Sequence, residues 1–467
     1  MSKQRIQLSD HFTYSRLLRF VLPCIGTMLF TSIYGIVDGL CVSNFVGKTA
    51  FAAVNLIMPL PMLLGTIGFM LGTGGSAIVG ITLGEGDQKK ADRYFTLFLL
   101  AALVSVSVLA VLGIVFLRPI AVLLGAKGEL LDYAVRYGRI LMVSLPTFAL
   151  QNMFQSFFVT AEKPHLGFWF TVGAGCTNMV LDVLMVGIWG WGVEGAAIAT
   201  FISQLVGGVL PVFYFIDRSN SSRLHLCKTS FYSKVLRDAC INGSSELMTN
   251  LSMSLVNILY NYQLLRLAGE NGVAAYGVIM YAAFLFVAVF VGYAVGSAPI
   301  VSFHYGARNH AEVHNLYRKS LRLIAVVAVT LTLASMFIIP CVARIFVGYD
   351  AELLALTSRA FRLYALSFLI MGFNVYASSF FTALGDGVTS ALISFFAHAG
   401  VSGDRHSPAA AAAGHRRHLA GRHRRRAGGS GREHRHAPHQ GQGVPLPQGM
   451  IRSPAFCETA KSGGFFW

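Results

Sequence analysis

Apolar runs of about twenty residues recur along most of this chain, and they limit its fold more than any other feature. Each is long enough to cross a lipid bilayer as a helix, which pairs its own backbone groups where no water is present. Only 12% of the residues are charged and the mean hydropathy is +0.59, whereas a soluble domain carries about 25% charged residues. We therefore predict an all-α polytopic membrane protein. Ten helices are expected, at about 16–40, 50–80, 93–117, 131–158, 166–187, 191–216, 238–267, 272–302, 320–346 and 356–384.

The helical region contains an internal repeat with a constant spacing. The motif Gly47-Lys-Thr-Ala-Phe-Ala-Ala matches Gly269-Glu-Asn-Gly-Val-Ala-Ala, and the same spacing separates Gly84 from Gly306. We call this spacing the repeat offset. The repeat unit holds an even number of helices, so both copies enter the membrane the same way up. This predicts two parallel-repeat helical bundles of a twelve-helix type, related by an axis along the membrane normal.

The repeat divides the chain into four predicted regions. Residues 1–217 form a six-helix lobe, 218–237 an inter-lobe loop, 238–396 a truncated second lobe of about four helices, and 397–467 a disordered basic tail. Positive charge gathers in alternate links, which places the N-terminus and the inter-lobe loop in the cytoplasm. The basic links contain Lys3, Arg5, Arg16, Arg19, Lys89, Lys90, Arg93, Lys163, Arg223, Lys228, Lys234, Arg308 and Arg322.

The tail after Phe396 differs sharply from the chain before it, holding eleven Arg and Lys residues and eight of the fourteen His. One interpretation is a basic disordered segment that binds nucleic acid or anionic lipid. The other is a reading-frame error. Codons read one base later allow an apolar sequence with Gly-Ile-Asp-Gly-Ile-Trp-Leu-Ala at Gly414, which lies one repeat offset after Gly192-Val-Glu-Gly-Ala-Ala-Ile-Ala. We favour the frame error, so no nucleic-acid partner is expected.

Two acidic residues lie at membrane depth in the first half. Asn178 and Asp182 are four residues apart and share a helix face. Asp38 lies toward the end of the first helix, one turn after Tyr34. Asp182 has an alternative role as a neutral packing residue, and Asp38 as a solvated helix-end acid. If the two acids meet, with Asn178 and Thr200 as neutral oxygen ligands, they form a site for H⁺ or Na⁺.

These residues bring the chain close to a known family: it resembles the multidrug and toxic compound extrusion (MATE) transporters. The resemblance covers about residues 12–396. It rests on Pro23, Tyr34, Val37-Asp38-Gly39, Phe45-Val46-Gly47, Gly84-Glu-Gly-Asp-Gln-Lys-Lys-Ala, Asn178-x-x-x-Asp182, Gly192-x-x-Gly195-Ala-Ala and Thr200.

The resemblance implies a multi-pass inner-membrane antiporter, not an enzyme, that exports drugs or organic cations in exchange for H⁺ or Na⁺. It places the ion site at Asp38, Asn178, Asp182 and Thr200, and a helix bend at Pro23. It implies no cofactor, no metal beyond a possible Na⁺ and no obligate protein partner besides the lipid bilayer.

Further polar residues are candidates for a substrate cavity: Gln151, Asn152, Gln155, Glu246, Asn257 and Asn374. Glu246 has an alternative role as a cap near the start of a helix. Asn257 and Asn374 have an alternative role as hydrogen-bonding residues between helices. Two rival functions also stay open. One is a flippase for lipid-linked precursors, which the acids disfavour because a pyrophosphate needs a cationic cavity. The other is an inactive, truncated pseudogene product.

Overall fold

A computed structural model describes residues 6–46, 48–347 and 351–403, all within one compact unit, Met1–His415. Every regular element in these ranges is helical, which confirms the predicted all-α fold class. The predicted tail lies outside the described residues from 404 onward, and its first residues continue the last helix to Gly403.

The first copy of the repeat contains eight helices. They are α1 (Tyr14–Phe45), α2 (Lys48–Ile57), α3 (Pro59–Gly84), α4 (Gln88–Leu123), α5 (Gly128–Thr160), α6 (Pro164–Asp182), α7 (Gly192–Gly208) and α8 (Leu210–Ile216). Proline in the first turn starts α3 and α6, where its missing N–H is not needed. Asp87 caps α4 by accepting a hydrogen bond from the Lys90 N–H at 3.0 Å.

The second copy contains α9 (Ser233–Gly306), α10 (His310–Val347), α11 (Ala351–Ala365), α12 (Phe368–Ala383) and α13 (Gly387–Gly403). Helical geometry runs unbroken through α9, which the sequence predicted as two helices. The rings of Tyr260 and Tyr276 are nevertheless stacked with centroids 5.6 Å apart. Sixteen residues of straight helix would separate them by about 24 Å. The chain therefore doubles back between them, and α9 consists of two antiparallel arms.

Seven described helices are long and apolar enough to cross a membrane, or eight if the bent pair α11 and α12 counts as one span. The predicted spans at 131–158 and 238–267 are helical but not among them. In α5 the reason lies in polar side chains such as Gln151 and Asn152, which are buried in protein and lower the hydropathy of the helix.

The two copies have the same turn conformation and the same helix-capping hydrogen bond at equivalent positions, so the repeat extends to hydrogen bonds. Gly86 and Arg308, which are related by the repeat offset, both take the left-handed conformation after the end of a helix. Two further residues related in the same way cap the next helix. Asp87 accepts from Lys90 N, and Asn309 accepts from Glu312 N at 3.1 Å.

The copies meet around an axis that relates α3 to the second arm of α9. Three of the close approaches there obey the repeat: Gly80 with Ser302, Gly84 with Phe303, and Gly306 with Ile81. Gly80 and Ser302 are related to each other by the repeat offset and so lie on the axis. The other two pairs exchange places under the same offset. Glycine is needed because a Cβ at Gly80 would come 2.9 Å from the Ser302 Cβ.

These contacts lie near one end of the bundle, which we call the basic face. It contains the N-terminal segment, the links 85–87, 161–163 and 217–232, and the link 307–309. By contrast, Gly35 and Gly277, farther from that face, have no neighbour within 4 Å of the position of a Cβ. The two copies are therefore in backbone contact at the basic face, while these two glycines lie in open surroundings.

Two extended segments cross between the copies at the basic face, and we call them the crossed straps. The first, residues 6–12, precedes α1 and binds both copies: Leu8 donates its N–H to Glu162 of the first copy at 2.9 Å, and Phe12 binds the second copy. Phe12 donates its N–H to Glu312 at 2.9 Å and accepts a hydrogen bond from Lys319 Nζ at 2.6 Å.

The second strap, residues 217–232, precedes α9 but binds the first copy. The Cys227 N–H donates to Thr96 Oγ1 at 3.1 Å, and the His225 N–H donates to Asp92 at 3.0 Å. Each copy is thus held at the basic face by the segment that leads into the other copy.

Candidate functional site

The two acidic residues predicted at membrane depth lie together inside the first copy. The carboxyl groups of Asp38 on α1 and Asp182 on α6 are within hydrogen-bonding reach of each other. Asp182 is fully buried, and among the described residues neither of its oxygens has a donor partner; the same holds for Asp38 Oδ1. Carboxyl oxygens of this kind require either a shared proton or a bound cation.

Two of the neutral residues of the predicted site lie one turn from the acid pair, and the third, Thr200, lies on a neighbouring helix. Asn178 is 2% exposed, one turn before Asp182, and its Oδ1 has no donor. Tyr34 lies one turn before Asp38 and interacts electrostatically with it. Thr200 is half-buried on α7, the helix that packs beside α6.

Local backbone features fix this arrangement. A π-helical segment, Val183–Ile188, follows Asp182 directly, and such segments often occur at functional sites. Gly175, two turns before Asp182, lets α1 approach: a Cβ there would come 2.5 Å from Phe30 Cε1 and 3.1 Å from Tyr34 Cδ1. The absence of a side chain at Gly175 is what allows the Tyr34 ring to lie against α6.

Four residues were missed in the sequence: two that interact with the acid pair and two that lie on α1 and α7. Tyr137, which is 1% exposed, and Cys41 both interact electrostatically with the two carboxyl groups. Thr31 and Gln204 each have a buried oxygen without a partner. Helix spacing identifies Thr31, seven residues before Asp38, and Gln204, four after Thr200. No sequence signal distinguishes Tyr137 or Cys41 from packing residues.

The three polar residues predicted on α5 have different surroundings. Asn152 donates to the carbonyl of Phe148 at 2.9 Å in its own helix. The Gln151 carboxamide packs against Gly207 on α7. Gln155 lines a cavity of about 10 Å³ with Cys24, Thr27 and six other residues, which is room for one water molecule. Pro23 is buried in α1 beside this cavity, and its carbonyl accepts from Thr27 Oγ1.

The predicted candidates in the second copy do not form a matching acid site. Glu246 is half-buried on the first arm of α9, and Asn374 is half-buried on α12. The side chain of Asn257 lies outside the described residues. Tyr260 is the counterpart of Asp38 under the repeat offset, and its ring stacks on Tyr276. The acid pair thus belongs to the first copy, and its counterpart in the second is aromatic.

Comparisons with known proteins agree with this architecture. The MatE family profile matches residues 23–184 and 247–402, one match in each copy of the repeat. The chain is similar to the multidrug export protein MepA of Staphylococcus saprophyticus, with 21% identity over 379 residues, which is 80% of this chain and 82% of that protein. MepA of Staphylococcus aureus is 21% identical over 376 residues, with the same two coverages.

Solved structures share the fold. A MATE crystal structure in complex with MaL6 has a TM-score of 0.80 and 22% identity, covering 91% of this chain and 98% of its own. The outward-facing structure of a multidrug resistance MATE family transporter has a TM-score of 0.79 and 22% identity, covering 85% and 88%. With both copies matched by one family profile, the chain belongs to the MatE family, the multidrug and toxic compound extrusion family that its sequence resembles.

Proposed function

We propose that this chain is a secondary active antiporter that exports drugs or organic cations across the inner membrane in exchange for H⁺ or Na⁺. The observation that carries the proposal is the acid pair, Asp38 and Asp182, three of whose carboxyl oxygens are buried without a donor among the described residues of the first copy. An ionisable pair is costly at this depth unless an ion offsets it. An ion that binds at the acid pair therefore changes the net charge of the first copy at this depth.

Ion binding drives transport only if the ion prefers one conformation over the other. Asp38 lies on α1, which also contacts the second copy: Gly292 packs against Ile25, and Gly296 packs against Val21 and Cys24. A change in the charge of the acid pair acts on α1 directly. The same helix carries that change to the contact between the copies.

We assign the basic face to the cytoplasm, because positive charge collects in cytoplasmic links. With the copies in contact at this face, the structure corresponds to a state closed to the cytoplasm. Export then requires the contacts at Gly80, Gly84 and Gly306 to separate when substrate is loaded. Alternating access follows from opening and closing the copies around their common axis.

The substrate class rests on the relatives, which are named multidrug export proteins. The acids at membrane depth favour cations, because a flippase for lipid-linked pyrophosphates needs a cationic cavity. In the second copy, Glu246 is a further acid that attracts a positively charged substrate.

Transport by the purified full-length chain in liposomes tests this proposal. Ethidium efflux is measured under an imposed proton gradient and, separately, a sodium gradient. We expect Asp38→Asn and Asp182→Asn each to reduce efflux to background, since either change removes one charge of the pair. Asp132→Asn is the matched control, because Asp132 is exposed at the opposite end of the bundle. Unchanged efflux in both site variants would exclude this mechanism.

The same assay decides the predicted effect of the altered reading frame. That prediction concerns residues outside the described ranges. Gradient-driven efflux by the chain as it stands excludes an inactive pseudogene product. If the chain elutes as aggregate while a frame-restored chain is monodisperse and active, the inactive product is supported.

A further inference from the structure

Donor-free oxygens in the first copy extend beyond the acid pair. The described residues of α1, α6 and α7 contain six such buried oxygen atoms: Thr31 Oγ1, Asp38 Oδ1, Asn178 Oδ1, both carboxyl oxygens of Asp182 and Gln204 Oε1. Only the carboxyl groups can be satisfied by taking up a proton. The amide oxygens of Asn178 and Gln204 require a donor or a cation from elsewhere.

Thr31 differs from its neighbours in how its hydroxyl is used. In helices of this chain, Thr and Ser hydroxyls commonly donate to a carbonyl one turn earlier, as Thr27 does to Pro23 and Thr177 does to Gly173. Ser32, beside Thr31, does the same with Met28. Thr31 makes no such bond although its oxygen is buried. Its hydroxyl remains available to a water or an ion.

The packing of α6 against α7 places Gln204 at the level of Thr31. These helices are antiparallel, with Met185 against Gly195 and Gly173 against Val206. Gln204 therefore lies level with Gly175, which in turn touches Phe30 and Tyr34 on α1. Thr31 follows Phe30, so Thr31 and Gln204 lie at a similar height in the bundle, about one turn closer to the basic face than Asn178.

Polar groups continue from this level toward the basic face. One turn after Gln204 along α7, a Cβ at Gly207 would lie 2.8 Å from the carboxamide carbon of Gln151. One turn after Gln151 along α5, Gln155 lines the cavity that it shares with Thr27. Successive levels are one helical turn apart, about 5.4 Å, a gap that one bridging water spans with two hydrogen bonds.

We propose that the coupling ion moves between the acid pair and the basic face through the interior of the first copy, along this polar column, with Thr31 and Gln204 as its middle level. The distance from Asp38 to Thr27 along α1 is eleven residues, about 16 Å. The ion then has a route that runs inside the first copy and meets the second copy only at its last level, where Val295 also lines the cavity. The drug uses the space between the copies, so the two solutes do not compete for one path. This inference rests on the proposed antiport.

The test replaces the middle level with apolar side chains of similar size, using Gln204→Leu and Thr31→Val. Thr177→Val is the matched control, because the Thr177 hydroxyl is already bonded within its own helix at 2.8 Å. Two measurements are made in liposomes: gradient-driven ethidium efflux, and exchange of ethidium for ethidium without any ion gradient. Exchange requires the drug path but no net ion movement.

We expect gradient-driven efflux to fall at least tenfold in both variants while exchange stays within twofold of the unsubstituted chain, with the control unaffected. Efflux within twofold of the unsubstituted chain in Gln204→Leu and Thr31→Val overturns the column. Equal loss of efflux and exchange also overturns it, since the residues then serve the drug path or the fold. Gln204→Asn, which keeps a shorter amide, should recover part of the efflux. If the unsubstituted chain shows no gradient-driven efflux, the proposed function fails, an outcome distinct from both.

Discussion

The contact between the copies at the basic face predicts that one methyl group is enough to shift the protein toward a state open on that side. The perturbation is Gly306→Ala, or equally Gly84→Ala, because the repeat exchanges these positions. At Gly306 the added Cβ would come 2.7 Å from the carbonyl carbon of Ile81 and 2.8 Å from its Cα. All the nearest atoms are backbone, so no side chain can turn aside to make room.

The size of the effect follows from this geometry. An ordinary contact begins at 3.4 Å, so α3 and α9 must move apart by about 0.7 Å to relieve the contact with the Ile81 carbonyl carbon, and farther to clear the Ile81 carbonyl oxygen, which is the nearest atom. Overpacking of this kind costs about 1–3 kcal/mol. Alanine also favours the helix over glycine by about 1 kcal/mol, but in both conformations equally. The strain is released only when the copies separate, and at about 1.4 kcal/mol per tenfold the equilibrium shifts roughly 5- to 150-fold.

Hydrogen exchange followed by mass spectrometry measures the shift without labels. In Gly306→Ala we expect faster exchange in peptides covering 6–12, 84–92 and 306–311, including those far from the substitution in sequence. Gly277→Ala is the matched control, because it makes the same change in α9 where no described atom outside the adjacent helix backbone lies within 4 Å. Exchange in Gly306→Ala that matches the control at all three peptides would refute the role of this contact.

Two further predictions use the same approach at other sites. Glu312→Gln removes the charge that holds the first strap, and a hydrogen bond to a charged group is worth about 1.5–3 kcal/mol; exchange at residues 6–12 should rise, whereas the exposed Glu85→Gln should leave it unchanged. Gly175→Ala should abolish ion-driven efflux by displacing the Tyr34 ring from beside the acid pair. Gly173→Ala should be tolerated, since its Cβ meets its nearest neighbour at 3.8 Å, and equal activity in the two α6 variants would contradict the packing argument.

Much of the fold could be predicted because a bilayer allows few backbone structures to span it. Apolar runs predicted the helices, and the offset between Gly84 and Gly306 predicted a parallel repeat that the structure contains at the level of single hydrogen bonds. The breaks within the runs were harder to predict. The expected helix at 50–80 divides at Met58, before Pro59, because a proline can either start a helix or be tolerated inside one. Conversely, the two helices expected at 238–267 and 272–302 are the two arms of α9. The composition of the chain did not reveal that helical geometry continues through the bend between them.

The acid pair could be predicted because a carboxylate at membrane depth needs a reason to be there. Asp38 and Asp182 were each evident from their apolar surroundings. Tyr137 and Gln204 were not, since a buried tyrosine or glutamine in a helix has many ordinary uses. Their relevance depends on which helix faces which. That relation arises from close approaches at glycines such as Gly175, and it becomes visible only in three dimensions.

The two copies are alike where they contact each other at the basic face and unlike where the acid pair lies. Gly84 and Gly306 occupy equivalent positions in the contact at the basic face, whereas Asp38 has Tyr260 as its counterpart. If the acid pair of one copy controls a contact that both copies share, one element must reach both the acid pair and that contact. Helix α1 meets this requirement, because it carries Asp38 toward one end and packs Val21 and Cys24 against the second copy near the other. Pro23 lies within that same turn and removes a backbone hydrogen bond there. The helix is therefore weakest where movement of the acid pair would have to be converted into separation of the copies.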